Sequence, residues 1–265
     1  MRIPTIPATR SAKLFAGAVL GALLLGQAAK ADTFVVTYGA PTVQNPAAII
    51  VGNANVIGTE TLDARPTGSG GFTTDYGTGG IISGTYSSGL VVSPADQYGG
   101  AGGTGNYANA IGGTSGYSIG LATNGVPGVN YFGYWLSALD AGNQAVFYRG
   151  GVEVGSYTPP DLVAAVGPCN GANAYCGNPN APFLGNDSGE PYAFVNFVDT
   201  SGYFDEVRIF ESPNVGNYES DNHTVGYCSS ATSCISGHPV PEPISLALLG
   251  TGLLGLGAAR LRRKG

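Results

Sequence analysis

The chain has 265 residues, with 44 glycines, 17 acids and 11 lysines or arginines, for a formal net charge of −6. The cations cluster at the two ends: residues 32–239 carry sixteen acids against only Arg65, Arg149 and Arg208, a formal charge of −13. Such a segment has almost nothing with which to neutralise phosphates, which argues against nucleic acid and anionic membrane surfaces as partners and leaves solubility at a crowded surface or cation binding.

Residues 1–31 read as a secretory signal peptide. Arg2, Arg10 and Lys13 form its charged start, Leu14 to Leu25 its apolar stretch, and Ala29-Lys30-Ala31 a small-x-small cleavage site that would leave Asp32 as the mature N-terminus. The exported segment 32–238 is long enough for one sizeable core. It holds 36 glycines and all 15 tyrosines of the chain. Glycine at that density without a Gly-X-Y period signals tight turns. Cys169, Cys176, Cys228 and Cys234 all lie on the exported side, where an even number implies disulfides. Three pairings are possible. The spacing favours the local loops Cys169–Cys176 and Cys228–Cys234, and it fits the close pairs of a zinc site poorly.

The predicted elements are short and mostly strands. Thr33 to Thr37 is the first. Ala47 to Ile57 is apolar and β-branched, Gly68 to Gly80 is loop-like, and Ile81 to Val92 reads as one or two strands. Ala95 to Ala108 reads as a flexible surface loop. Within it Gly100-Ala-Gly-Gly-Thr-Gly105 matches the dinucleotide-binding pattern only formally, since no strand is readable before it and no helix after it. Asn130 to Leu139, with the sole tryptophan Trp135, is the strongest strand. Turn residues at Asp140 to Asn143 and at Gly150-Gly151 predict that Gln144 to Arg149 and Val152 to Tyr157 return beside it as a three-stranded meander. Leu162 to Val166 makes at most one helical turn. Pro191 to Val198, Tyr203 to Phe210 and Glu219 to Tyr227 complete the strands. Many short strands with glycine turns and little helix predict an all-β ectodomain, a β-sandwich or jelly roll.

Catalytic patterns are sparse. Gly185-Asn-Asp-Ser-Gly189 has the flavour of a serine-protease nucleophile loop, but both histidines, His223 and His238, lie downstream of the serine. Asp205-Glu206 point to opposite faces of a strand and could not flank one glycosidic bond. No enzyme is expected. Glu219, Asp221 and Asn222 place hard oxygens at i, i+2 and i+3 near a strand end, as a structural calcium ion would need; the plain alternative is a polar turn. Tyr98, Tyr107 and Tyr117, in glycine-rich surroundings, are the aromatics that could stack on sugar rings.

The last 27 residues, 239–265, have three parts. Val240-Pro241-Glu242-Pro243 is a proline-stiffened motif, Ile244 to Ala259 is uncharged, and Arg260, Arg262, Arg263 and Lys264 form a basic end. Sixteen residues make a helix of roughly 24 Å, short for a bilayer core but extendable by snorkelling arginines. The basic end should stay cytoplasmic. This order resembles the PEP-CTERM sorting tail of exported Gram-negative proteins. The resemblance implies recognition of Pro241, Glu242 and Pro243 by an exosortase, a membrane-embedded cysteine peptidase, with cleavage at or near that motif. It makes the basic cluster the retention signal. Ala95 to Ala108, Tyr131 to Gln144, Cys176 to Asn180, Gly189 to Phe194 and Tyr218 to Gly226 further resemble a subgroup of exosortase-dependent surface proteins, which adds a location and no activity. The expectation is therefore an exported precursor, held in the inner membrane by its C-terminal helix. After processing it would have a structural or adhesive role in an extracellular polysaccharide layer, with a carbohydrate-binding module as the rival and a hydrolase as a weaker one.

Overall fold

A computed structural model describes residues 31–45, 55–112, 115–213, 216–230, 233–234 and 238–239. Ala29, the motif Val240 to Pro243, the apolar run to Ala259 and the basic end Arg260, Arg262, Arg263 and Lys264 lie outside the described residues, as does most of Ala47 to Ile57.

Two antiparallel sheets pack face to face as a β-sandwich. The larger contains β1 (Phe34–Tyr38), β2 (Val56–Glu60), β3 (Gly68–Ser69), β6 (Val91–Pro94), β7 (Asn106–Ala110), β9 (Tyr131–Ser137), β12 (Ala193–Asp199), β14 (Tyr218–Tyr227) and β15 (His238–Pro239). Its order is β15-β1-β12-β9-β14-β7-β6-β3. The ten-residue β14 pairs with β9 along one side; on the other, Tyr218–Ser220 meet β7 and His223–Tyr227 meet β2. The smaller sheet contains β4 (Thr73–Thr74), β5 (Ile82–Tyr86), β8 (Tyr117–Thr123), β10 (Asn143–Arg149), β11 (Val152–Tyr157) and β13 (Glu206–Glu211), in the order β11-β10-β13-β8-β5-β4. The helix α1 (Pro159–Val166) is longer than the single turn expected. It starts with proline at the positions where a missing N–H is harmless, ends at Gly167 with φ 85°, and buries Leu162 and Val166.

Period-two alternation decides which side chains enter the core. On β13, Val207 and Ile209 point in while Arg208 points out. On β9, Phe132, Tyr134 and Leu136 face the other sheet; Trp135 faces outward beneath covering loops, with Ala138, Tyr192 and Phe194. Phe147 sits at the centre, its ring 4.8 Å from Phe34, 5.1 Å from Phe197 and 5.0 Å from Phe204.

The expected meander is not what forms. β10 and β11 make a hairpin across Gly150-Gly151, whose φ of 56° and 77° suit the left-handed turn that matches strand twist. β9, however, belongs to the other sheet, so Asp140 to Asn143 carries the chain from one layer to the other. There Asn143 Oδ1 takes the Asp140 N–H at 2.7 Å, a local loop closure that looks the same in sequence whether the next strand pairs or crosses.

Both disulfides pair as the spacing favoured, Cys169 with Cys176 and Cys228 with Cys234. Cys228 is also held by Asn130, which accepts its N–H at 2.7 Å and donates to its carbonyl at 3.0 Å.

Candidate functional site

The glycine-rich stretch 95–105 is docked rather than free. Ala95 N–H donates to Gly105 O at 2.9 Å, Ala101 N–H to Asp221 Oδ2 at 2.7 Å, and Gly102 N–H to Gln44 Oε1 at 2.7 Å. The glycines permit this close approach: at Gly103 (φ 71°) a Cβ would run into the Ala181 carbonyl, and at Gly105 (φ 77°) into the Asp63 carboxylate. The loop therefore lies over the outer face of the larger sheet and covers the middle of β14.

Within β14 the register against β9 shifts between Asp221 and Thr224, and Asn222 takes φ 50°. This bulge resets the alternation. Before it, Glu219 and Asp221 face outward and Tyr218 and Ser220 inward; after it, His223 and Val225 face inward. Glu219 and Asp221 thus share the outer face, and the three residues expected to share a cation are divided by their partners instead. The Asp221 carboxylate accepts the Ala101 and Asn222 N–H groups, at 2.7 and 2.6 Å. Asn222 Nδ2 donates to the Gln44 carbonyl at 2.8 Å. Among the described residues no three histidine, cysteine, aspartate or glutamate side chains converge on one point.

Glu219 has different neighbours. In register it stands directly between Ser137 on β9 and Asn109 on β7, and residues opposite one another share a face. All three are buried, and Asn109 Oδ1 and Ser137 Oγ have no hydrogen-bond partner. Burial pushes the Glu219 carboxyl up to about 8, helped by the charges of Asp140, Asp96 and Glu211. Nearby, burial and the charge of Glu211 push Asp140 to about 6, and burial and a hydrogen bond with Asp187 push Glu190 to about 8. The three arginines are engaged elsewhere: Arg65 with Glu60, Arg149 with Asp32 and Asp199, Arg208 with Glu206. Asn109 and Ser137 were not legible as site residues, because only strand register brings them to Glu219.

Inside the sandwich His223 shares hydrogen bonds with Tyr86 (2.9 Å to Nδ1) and Ser220 (3.0 Å to Nε2), and Ser220 in turn with Tyr117 at 3.0 Å. Burial holds the imidazole down at about 3. Both ring nitrogens are thus committed inside the core, while Ser188 of the protease-like stretch is exposed on a loop.

The tyrosine expectation needs correction. Tyr107 and Tyr117 are strand residues, 2% and 3% exposed, and cannot lie against a sugar from solvent. Tyr107 packs under Gly99 with its hydroxyl on Asp96. Glycine neighbours mark where a ring is covered here, not where it is open. Only Tyr98, at 42%, is exposed.

At the far edge of the larger sheet β15 pairs with β1, Tyr38 opposite His238 and Thr37 opposite Pro239. The family model of the PEP-CTERM protein-sorting motif matches residues 239–264, so it begins on this edge strand. The chain carries that sorting signal, which directs exosortase-dependent export to the surface of Gram-negative bacteria. No curated protein and no solved structure matches the chain.

Proposed function

We propose that the sandwich is a structural or adhesive, non-catalytic element of an extracellular polysaccharide layer. It would reach that layer after removal of residues 1–31 and cleavage of the tail by an exosortase at or near Pro241-Glu242-Pro243. Until then Ile244 to Ala259 holds the precursor in the inner membrane, with Arg260, Arg262, Arg263 and Lys264 on the cytoplasmic side. The sorting motif carries this reading. The acidic, lysine-free ectodomain suits a hydrated matrix.

A second reading, reversible carbohydrate binding, draws on a polar cleft of about 320 Å³ lined by Asn130, Thr200, Ser201, Tyr203, Ser229 and Ser230. The half-buried Tyr203 could offer a ring face there. Co-sedimentation of the full chain with polysaccharide stripped from the producing cells separates the two. A structural element stays in the washed layer and shows no saturable binding to soluble fragments. A binding module binds them saturably and loses roughly tenfold or more in affinity on Tyr203→Ala, the loss expected when a stacking ring is removed. Absence of the mature chain from the layer contradicts both.

A further inference from the structure

We propose that a divalent cation preferring hard oxygen ligands, calcium by chemical class, binds on the outer face of the larger sheet between the Glu219 carboxylate, Asn109 Oδ1 and Ser137 Oγ. Three observations meet there. First, the three residues form one row across β9, β14 and β7, opposite one another in register. Second, Asn109 Oδ1 and Ser137 Oγ are unpartnered, in side chains 5% and 0% exposed. Buried polar atoms without partners are rare in folded proteins and ask for an explanation. A cation between them would supply the missing partner for each.

Third, the surroundings are negative without compensation. Asp140, Asp96 and Glu211 bear on Glu219, and the ion pairs of Arg65, Arg149 and Arg208 lie with other acids. One carboxylate, one amide oxygen and one hydroxyl, with water completing the shell, suit the irregular oxygen coordination of calcium better than the strict octahedron of magnesium. Zinc and copper are disfavoured, since His223 lies on the opposite face and all four cysteines are in disulfides. The site keeps Glu219 from the sequence expectation and leaves out Asp221 and Asn222, whose polar groups serve the loop above.

The test uses the full chain, stripped with a chelator, with terbium as a luminescent stand-in for calcium. Trp135, the sole tryptophan, is two residues from Ser137 on the same strand face, about 7 Å along the strand. It should sensitise terbium emission. The expected result is saturable emission displaced by calcium, and a rise in melting temperature when calcium is added. Glu219→Gln should weaken binding by more than about tenfold and abolish the calcium-dependent rise while keeping the far-ultraviolet dichroism. Ser137→Ala gives a second route should Glu219→Gln not fold, and it should also weaken binding. Glu153→Gln, at an exposed acid of the smaller sheet, should bind as wild type. Absence of calcium-displaceable emission, or emission unchanged in both Glu219→Gln and Ser137→Ala, overturns the site.

Discussion

Replacing His223 by glutamine tests the interior directly. The imidazole is 0% exposed, stacked 5.7 Å from Tyr86 and 6.2 Å from Tyr117, with Tyr134 edge-on at 6.2 Å. Glu60, its cross-strand partner, favours the imidazolium but is itself engaged by Arg65, and burial wins, leaving the group at about 3. An unfolded histidine titrates near 6.5. Above that pH neither state is protonated and linkage contributes nothing. Below it the unfolded chain binds a proton that the fold refuses, so stability falls by about 1.4 kcal/mol per pH unit until the pH nears the folded value. Between pH 7.5 and 5 the loss is about 2 kcal/mol. The acids Glu190, Glu219, Asp221 and Asp140, whose carboxyls are raised, act in the opposite sense: their stability is present at low pH and is lost as the pH rises from about 4 through the folded values of roughly 6 to 8. They are common to both proteins and cancel in the difference. At pH 7.5 His223→Gln should cost about 1–3 kcal/mol, because Tyr86 and Ser220 lose a well-placed partner. At pH 5 that gap should narrow by about 2 kcal/mol. Urea unfolding at both pH values, with unchanged m-values, measures it. A gap that is constant or widens toward acid would refute a neutral histidine walled in by tyrosines.

Phe147→Ala removes the ring shared by the Phe34, Phe197 and Phe204 contacts, and should cost about 3–5 kcal/mol in thermal or urea unfolding; a loss below about 1 kcal/mol would deny it the centre of the core. Gly105→Ala forces a side chain into Asp63 at a φ of 77° and should cost about 1–3 kcal/mol, read as a lowered melting temperature. Tyr98→Ala should leave stability within about 0.5 kcal/mol, whereas Tyr107→Ala should lose about 3 kcal/mol or more; equal effects would place both rings in the same environment.

What was legible in the sequence was local. The strand at Tyr131–Ser137, the hairpin at Gly150-Gly151 and the two short cysteine loops each rest on signals within about ten residues. What was not legible depends on register. Asp140 to Asn143 carries turn chemistry, and nothing in those four residues says that the next strand joins the other sheet. Glycines around Tyr107 and Tyr117 suggest openness, yet at Gly99 the missing Cβ is what lets the Tyr107 ring close against the backbone. Glu219 and Asp221 share a face by simple alternation. The bulge at Asn222 and the distant partners Asn109, Ser137 and Ala101 decide what each carboxylate meets. The interior histidine likewise depends on the bulge, since without the register shift His223 would face outward with the acids.

The most direct test of the account as a whole is the intact mass and cell fraction of the native protein, compared with a variant in which Pro241, Glu242 and Pro243 are alanines. The account predicts that the wild type has lost residues 1–31 and its basic tail and is found at the surface or outside, while the variant keeps its tail and stays in the inner membrane. A tail retained in both proteins, in the same membrane fraction, would contradict it and reduce the C-terminus to a simple anchor.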